Sequence, residues 1–148
     1  MIRIVPAGDA QQKAEAFSIR TRVFVCEQGF PLHAEFDLDD LAAFHALAFL
    51  QGKPVGTARL VIRGGEGRIG RLAVLPPFRR MGIGLALLEF LTEEARRRGA
   101  TRLVLHAQLP ALSLYLRAGF FVTSSLFLED GVLHCRLERW VDGTSQFR

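Results

Sequence analysis

Residues 79–99, RRMGIGLALLEFLTEEARRRG, join a glycine-rich turn to a long amphipathic segment. Apolar residues recur in this segment at helical spacing, which predicts a helix over residues 82–98. Its buried face should contain Ile83, Leu87, Leu88, Leu91 and Ala95. Gly82 and Gly84 stand at its start, although a glycine costs about 1 kcal/mol relative to alanine inside a helix. Helix stability alone therefore does not explain them.

An anion is one explanation for these glycines. A helix N-terminus has free N–H groups and a partial positive charge, so it can bind a phosphate or pyrophosphate. Gly82 and Gly84 would let the anion approach the backbone, and Arg79 and Arg80 add positive charge. A dinucleotide fingerprint is excluded because Leu87 replaces its third glycine, and a P-loop because the chain has no Gly-Lys-Ser/Thr triplet. The alternative is that the glycines only let the helix pack on a sheet.

The composition is that of one globular domain spanning residues 1–148, with a flexible tail at 141–148. Hydrophobic residues make up 49% of the chain, and the net charge is +4. We expect a soluble cytoplasmic protein without a membrane partner, because no apolar run is long enough to span a bilayer and no signal peptide is evident. The basic residues lack the interleaved aromatics of a nucleic-acid surface. Cys26 and Cys135 are predicted to be buried free thiols.

The order of the predicted elements indicates an α/β fold with a mixed sheet. The sequence favours a strand at 2–6, a helix from Asp9 to about Val25, and a loop with a helical turn at 26–40. A three-strand meander follows within residues 42–77, and the helix at 82–98 comes next. The remaining elements are a strand at 101–107, a short helix at 110–119, and strands at 119–123 and 131–140. The strand–helix–strand unit at 68–107 predicts one parallel pair in a mostly antiparallel sheet with helices on both faces.

Two blocks of sequence resemble the GNAT superfamily of N-acetyltransferases. Residues 71–91, RLAVLPPFRRMGIGLALLEFL, resemble its acetyl-coenzyme A (acetyl-CoA) signature, Arg/Gln-x-x-Gly-x-Gly/Ala, with Arg79, Gly82 and Gly84 at the defined positions. Residues 108–120, QLPALSLYLRAGF, resemble its downstream motif, in which Gln108 replaces the usual asparagine. Residues 20–45, RTRVFVCEQGFPLHAEFDLDDLAAFH, look like the ElaA-like branch of this superfamily.

The resemblance implies an enzyme that moves the acetyl group of acetyl-CoA to a primary amine of a small molecule, peptide or protein. It assigns the cofactor's phosphates to the backbone of Arg79, Arg80, Met81, Gly82, Ile83 and Gly84. It assigns the pantetheine arm to the backbone of Leu72, Ala73 and Val74, with Gln108 and Ser113 as further contacts. It makes Tyr115 the general acid for the departing thiolate, whereas the sequence alone favours an aromatic residue packed on Phe120.

Several residues are candidates for the general base. Glu27 and His45 are the catalytic candidates in the region where the family places its acceptor pocket, and Glu35, Asp37 and His106 are further candidates. The acidic run at 35–40 can also be a solvated, capped loop, and it lacks calcium-loop spacing, so we expect no metal. Cys26 could act as an acyl-carrying nucleophile only with an activating base, which the sequence does not supply.

Two other functions are compatible with these motifs. One is a non-catalytic module that binds or senses acyl-CoA, although such a module would not need Tyr115. The other is a nucleic-acid-linked role in which the acceptor amine belongs to RNA, against which the missing basic–aromatic pattern argues. The last strand with Trp140 is a candidate homodimer contact. The acceptor itself is left open, because loops determine it and loops vary within a fold.

Overall fold

The computed structural model describes residues 1–141, so the part of the predicted tail at 142–148 lies outside the described residues. Eight strands form one sheet in the order β1-β2-β3-β4-β5-β8-β6, and β7 also pairs with β8. They are β1 (Ile2–Pro6), β2 (Phe44–Leu50), β3 (Lys53–Arg63), β4 (Glu66–Val74), β5 (Arg102–Gln108), β6 (Phe121–Val122), β7 (Phe127–Glu129) and β8 (Val132–Trp140). The β4–β5 pair is parallel and the other pairs are antiparallel, as predicted.

Helices cover both faces of this sheet. They are α1 (Ala10–Arg20), α2 (Leu32–Glu35), α3 (Asp39–Ala42), α4 (Ile83–Arg97) and α5 (Leu112–Arg117). On β2, Ala46 and Ala48 belong to the core cluster that contains the buried face of α4, whereas Leu47 belongs to the cluster around α1. Successive strand residues point to opposite faces, so α1 and α4 lie on opposite sides of the sheet. All five residues predicted for the buried face of α4 are buried.

The first helix differs from its prediction. It is α-helical only to Arg20, and residues Thr21–Glu27 continue as a π-helix. The Gln28 N–H donates to the carbonyl of Val23, which is the wider hydrogen bond of a π turn. Cys26 is exposed on this segment, so the prediction that both cysteines are buried is wrong for Cys26 and confirmed for Cys135. The sequence favours burial because Cys26 follows an apolar run, whereas the residue lies on the exposed side of the π-helical segment.

The C-terminal part also departs from the sequence prediction. Strand β7 was not predicted, and β6 is only two residues long. Val141, predicted to begin a loose tail, is buried, and its N–H donates to the Thr101 carbonyl. Trp140 is partly exposed, and its role in a homodimer stays a prediction. Among residues 1–141, no helix is long and apolar enough to cross a membrane.

Candidate active site

A cleft opens where β4 and β5 separate. The two strands pair over only three positions, Glu66–Arg68 with Arg102–Val104, and then continue apart to Val74 and Gln108. A cavity of about 750 Å³ lies between the diverging ends. Its walls come from both strands, from the turn that leads into α4, from α5 and from the chain around α2. The cavity therefore lies where the sequence predicts a ligand.

A bulge in β4 contributes to this separation. Arg59 of β3 faces Gly70, and Thr57 of β3 faces Ala73, so Arg71 and Leu72 together oppose the single residue Ala58. Arg71 has φ 53°, a left-handed conformation that is uncommon for a residue with a side chain. Bulges bend a strand and increase its twist, which turns β4 away from its straight course beside β5. Nothing in the sequence at Arg71 signals this conformation.

The turn into α4 has the backbone of an anion site. Arg80 and Gly82 both have positive φ, 63° and 86°, and no side chain of residues 1–141 caps the helix. The first α-helical hydrogen bond runs from the Ala86 N–H to the Gly82 carbonyl, so the preceding amides of α4 are not used within the helix. A Cβ on Gly82 would meet no atom within 4 Å in the described part of the chain. Uncapped amides beside open space, in a turn lined by arginine, fit a phosphate group.

Gly84 has a second role that its motif does not reveal. A Cβ at this position would lie 3.1 Å from Cδ2 of Leu114 in α5. Gly84 therefore lets α5 approach α4, which is the packing role that we weighed against anion binding. It also lines the cavity, as do Ile83 and Gly82, whereas Met81 is exposed and lies outside the cavity wall. The anion explanation is therefore supported at Gly82, and the packing explanation is supported at Gly84.

Arg79 is held in place by two partners. Its guanidinium donates to both carboxylate oxygens of Glu27, at 2.6 and 2.7 Å, and its Nε donates to the Val74 carbonyl at 2.8 Å. The hydrogen bonds from Arg79 lower the pKa of Glu27. A carboxylate that is bonded in this way is a poorer proton acceptor. Glu27 is not among the described residues that line the cavity.

Tyr115 is buried in the wall contributed by α5. Its ring meets Phe120 edge to face, with 6.2 Å between the centroids, so the packing expected from sequence is present. Burial raises the pKa of Tyr115 well above its usual value, which keeps the hydroxyl protonated at neutral pH. No hydrogen bond from this hydroxyl to another residue of 1–141 is found. Tyr115 therefore lines the cavity with its hydroxyl protonated.

Two polar residues predicted as cofactor contacts also line the cavity. Gln108 ends β5, and its side-chain Nε2 donates to the side-chain oxygen Oε1 of Gln28 at 3.0 Å. Ser113 lies in α5, in the cavity wall. Leu72, Ala73 and Val74 line the cavity from β4. The structure thus brings together most of the residues that the two motifs nominate.

The acidic run at 35–40 is bound to arginines. Arg20, which is 1% exposed, donates from Nε to a carboxylate oxygen of Glu35 at 2.8 Å and from Nη1 to Asp40 at 2.7 Å. Arg59 donates to Asp37 and Asp40 at 2.8 and 3.0 Å. Burial raises the pKa of Glu35, and the Arg20 hydrogen bond offsets part of that rise. Glu35 and Asp40 are largely buried structural partners of arginine, whereas Asp37 and Asp39 pair with arginines and stay partly exposed.

His45 lies outside the cavity wall. It is 3% exposed, its Nε2 lies 3.1 Å from the Asp40 carbonyl oxygen, and its ring meets Phe17 edge to face. Its Nδ1 has no hydrogen-bond partner among residues 1–141. Burial lowers the pKa of His45, which keeps the imidazole neutral. The structure does not bring Glu27 and His45 together with Tyr115 around the cavity.

His106, in contrast, lines the cavity together with Glu129 of β7. The ring Nδ1 lies 2.8 Å from Oε1 of Glu129. Sequence reasoning named His106 only as a further candidate, and it missed Glu129, Arg71 and Arg20. Glu129 lies 23 residues away on a short strand that the sequence did not predict, so no local pattern links the pair. Among residues 1–141, no group of three or more His, Cys, Asp or Glu side chains is arranged to hold a metal ion.

Comparison with known proteins identifies the family. Residues 13–120 match the model of the Acetyltransferase (GNAT) family. A Bacillus subtilis protein named as the uncharacterized N-acetyltransferase YjcF is 32% identical over 137 residues, which are 92% of this chain and 98% of that protein.

Solved structures give the same result. Escherichia coli ElaA is 26% identical with a TM-score of 0.83, over 94% of this chain and 99% of that one. An acyl-CoA N-acyltransferase from Pseudomonas aeruginosa is 28% identical with a TM-score of 0.80, over 94% and 98%. These matches confirm the mixed fold and the resemblance to N-acetyltransferases and to ElaA. The chain is a member of the GNAT family of acetyltransferases.

Proposed function

We propose that the protein transfers the acetyl group of acetyl-CoA to a primary amine of a small molecule, peptide or protein, by direct attack of the amine on the thioester. Membership of the GNAT family implies an acyl-CoA donor and an acceptor substrate. The acetyl donor, the amine class and direct attack are the proposal. One observation carries it: a single cleft has uncapped helix amides at one end and the buried hydroxyl of Tyr115 in its wall.

Backbone groups would bind the donor along one wall. The amides at the start of α4, with Arg79 and Arg80 beside them, suit the phosphates. Beyond Arg68, the edge of β4 that faces β5 no longer pairs with it, so the backbone of Leu72, Ala73 and Val74 can bind an extended ligand arm as an added strand would. The donor supplies an activated thioester, and this chain orients it between the two strands. Gln108 and Ser113 line the same cavity and are proposed as side-chain contacts.

Tyr115 is proposed as the general acid. Because burial raises its pKa, the hydroxyl holds its proton at neutral pH until a thiolate forms beside it. A raised pKa also makes the hydroxyl a weak acid, so it would protonate only a strongly basic partner such as a poorly solvated thiolate. The contact with Phe120 sets the direction of the ring.

Glu27 and His45 stay predictions for the proton acceptor, and their positions do not support that role. Glu27 is bonded to Arg79 through both carboxylate oxygens. His45 is buried, and neither residue is among the described residues of the cavity wall.

An acceptor screen tests the function. Purified protein and acetyl-CoA are mixed with spermidine, free lysine, phenethylamine or a lysine-containing peptide, and thiol release is followed together with the mass of the acetylated product. We expect acetyl transfer to at least one primary amine. Tyr115→Phe should keep the CoA affinity and the packing on Phe120, while kcat falls about a hundredfold or more.

The screen also separates the enzyme from a binding module. If CoA binds but no amine in a wider panel is ever acetylated, the proposed function is wrong and the non-catalytic acyl-CoA module replaces it. If Tyr115→Phe keeps full kcat, Tyr115 has no part in the chemistry.

A further inference from the structure

His106 stands where the cleft begins to open. The parallel pairing of β4 and β5 ends at Val104, opposite Arg68, and His106 is two residues further along β5. Alternate strand residues share a face, so His106 lies on the same face as Val104, and both line the cavity. This face is the one turned away from the buried face of α4, because Leu103 and Leu105 pack in the α4 cluster. The imidazole therefore lies beside the vertex of the cleft.

The hydrogen bond to Glu129 determines which ring nitrogen carries the proton. An ionised carboxylate can only accept a hydrogen bond, so Nδ1 of His106, 2.8 Å from Oε1 of Glu129, must be the donor. In the neutral imidazole, Nε2 then has the free lone pair. No hydrogen bond to Nε2 is found from any residue of 1–141. Phe127 holds the ring edge to face, with the centroids 5.1 Å apart.

The neighbouring His134 is not placed in the same way. Its Nδ1 lies 2.8 Å from the Val132 carbonyl, and its Nε2 lies 3.8 Å from the other oxygen of Glu129. The side chain of His134 is 7% exposed, compared with 32% for His106. Of the two histidines in this wall, only His106 combines a carboxylate partner on one nitrogen with an accessible ring.

Across from His106, the opposite wall leaves room for a reactant. If the parallel register continued beyond Arg68, Gly70 would lie opposite His106. A Cβ on Gly70 would meet nothing closer than a guanidinium nitrogen of Arg59, at 4.0 Å. The next residues of β4 are the bulge at Arg71 and then Leu72, whose backbone belongs to the proposed donor site. An amine between Gly70 and His106 would thus be close to both the donor and a free imidazole nitrogen.

We propose that His106 is the proton acceptor for the attacking amine and that Glu129 is its positioning residue. The inference rests on the proposed acetyl transfer. A neutral amine attacks the thioester carbon, the C–N bond forms, and His106 Nε2 takes one proton from that nitrogen. The C–S bond breaks, and Tyr115 gives one proton to sulfur. Solvent then removes the proton from His106 and returns one to Tyr115, so the products are the N-acetylamine and the free thiol.

Charged groups around His106 are compatible with this role. Glu129 stabilises the imidazolium that forms when Nε2 takes the proton. Other charged or titratable groups near His106 lie on the neighbouring strands and on one turn. These groups are Arg68 and Arg71 of β4, Asp130 after β7, and His134, Arg136 and Glu138 of β8. Arg136 is the register partner of His106 and pairs with Glu138 at 3.4 Å.

The test compares His106→Ala and Glu129→Gln with His33→Ala, which removes an exposed histidine outside the cavity wall. The acceptor is the amine found to be acetylated in the screen described above. We expect His106→Ala to lower kcat about a hundredfold or more and to keep the Kd for CoA. Added imidazole should restore kcat at least about tenfold, because a free base can occupy the vacated space. Glu129→Gln should lower kcat about tenfold without changing the KM for acetyl-CoA, and His33→Ala should change neither.

The possible failures are distinct. If the wild-type protein acetylates no amine, the proposed function falls and this inference falls with it. If the wild-type protein is active and His106→Ala keeps its kcat, or loses kcat without rescue by imidazole, the inference alone is overturned. One measurement uses only the wild-type protein, so it does not depend on whether the variants fold. Nitrogen-15 NMR should show the neutral His106 with its proton on Nδ1. A proton on Nε2 would overturn the proposal.

Discussion

At the turn into α4, the groups that face the cleft are backbone amides, whereas α2, β3 and β4 line it with the charged residues Glu35, Arg59 and Arg71. The turn depends on two residues with positive φ, Arg80 and Gly82, and on a helix without a cap. These three residues belong to a set of ion pairs, here called the arginine network, that consists of Arg20, Glu35, Asp37, Asp40, Arg59 and Arg71. Its members are joined by hydrogen bonds between segments that are far apart in sequence.

This contrast predicts different responses to substitution. An amide site is made by local backbone conformation, so a change there should alter ligand affinity more than stability. A network of buried charges holds segments together, so the loss of one member leaves its partners unpaired and should alter stability first. Four predictions test this distinction, from the largest expected effect to the smallest.

Arg20→Ala should have the largest effect. It leaves the buried carboxylates of Glu35 and Asp40 without their main cationic partner, which should lower the free energy of unfolding by about 3–5 kcal/mol. Urea unfolding followed by circular dichroism measures it. Arg63→Ala is the matched control, because Arg63 pairs with Asp39 at a surface where its side chain is 69% exposed, and it should cost less than about 1 kcal/mol. Equal costs for the two variants would contradict the role of the network.

Gly82→Glu should act on affinity. Its carboxylate would enter the open space beside the α4 amides and repel a phosphate, so the Kd for CoA should rise about a hundredfold, or about 2.8 kcal/mol. Gly52→Glu is the matched control, because Gly52 has a similar φ, 80° against 86°, and equally open surroundings in the β2–β3 hairpin. Both variants should lose similar stability. Titration calorimetry with CoA distinguishes them, and an unchanged Kd for a folded Gly82→Glu would mean that the turn does not bind the phosphates.

Asp40 should make stability depend on acidic pH. Burial pushes the pKa of Asp40 upward, but hydrogen bonds from Arg20, the Asp37 N–H and Arg59 outweigh it and hold the pKa at about 2, below the ordinary 3.8. A carboxyl group with a lowered pKa stabilises the fold above its unfolded pKa, and that contribution is lost as the pH falls from about 4 to about 2.

The expected loss over this interval is about 2 kcal/mol, since one pKa unit corresponds to about 1.4 kcal/mol. Urea unfolding at several pH values measures it. Asp40→Asn should remove this part of the pH dependence, whereas Asp39→Asn should leave it in place. If wild type and Asp40→Asn have parallel pH profiles, the Asp40 contacts do not stabilise the fold in the way that we infer.

Glu27→Gln should have the smallest effect, and it should strengthen CoA binding where Gly82→Glu weakens it. Removing a carboxylate beside the proposed phosphate site frees Arg79 for the ligand. The Kd for CoA should therefore fall about two- to fivefold, which corresponds to the free energy of one exposed ion pair. The gain should shrink at high salt. Titration calorimetry at two salt concentrations gives the affinity, and the same variant tests the sequence prediction that Glu27 is the base. A fall in kcat of a hundredfold would support that prediction against His106.

The turn was predictable because its requirement is local. The spacing of Arg79, Gly82 and Gly84 and the stripe on α4 are both visible in one short stretch of sequence. Gly84 shows the limit of such an argument, since its contact with Leu114 depends on where α5 lies. The π-helix after Arg20 was missed because apolar periodicity does not distinguish a π turn from an α turn over seven residues.

The sequence by itself determined the mixed fold, the glycine turn, the parallel pair and the family, because each depends on periodicity or on residues that are close together in the chain. Only the tertiary structure decided how the charges are used. It paired Glu27 with Arg79, bound the acidic run to arginines, and set His106 beside Glu129 at the opening of the cleft. The physical reason is that a carboxylate or imidazole acts through its partner and its burial, and both come from segments that fold against each other across the sheet.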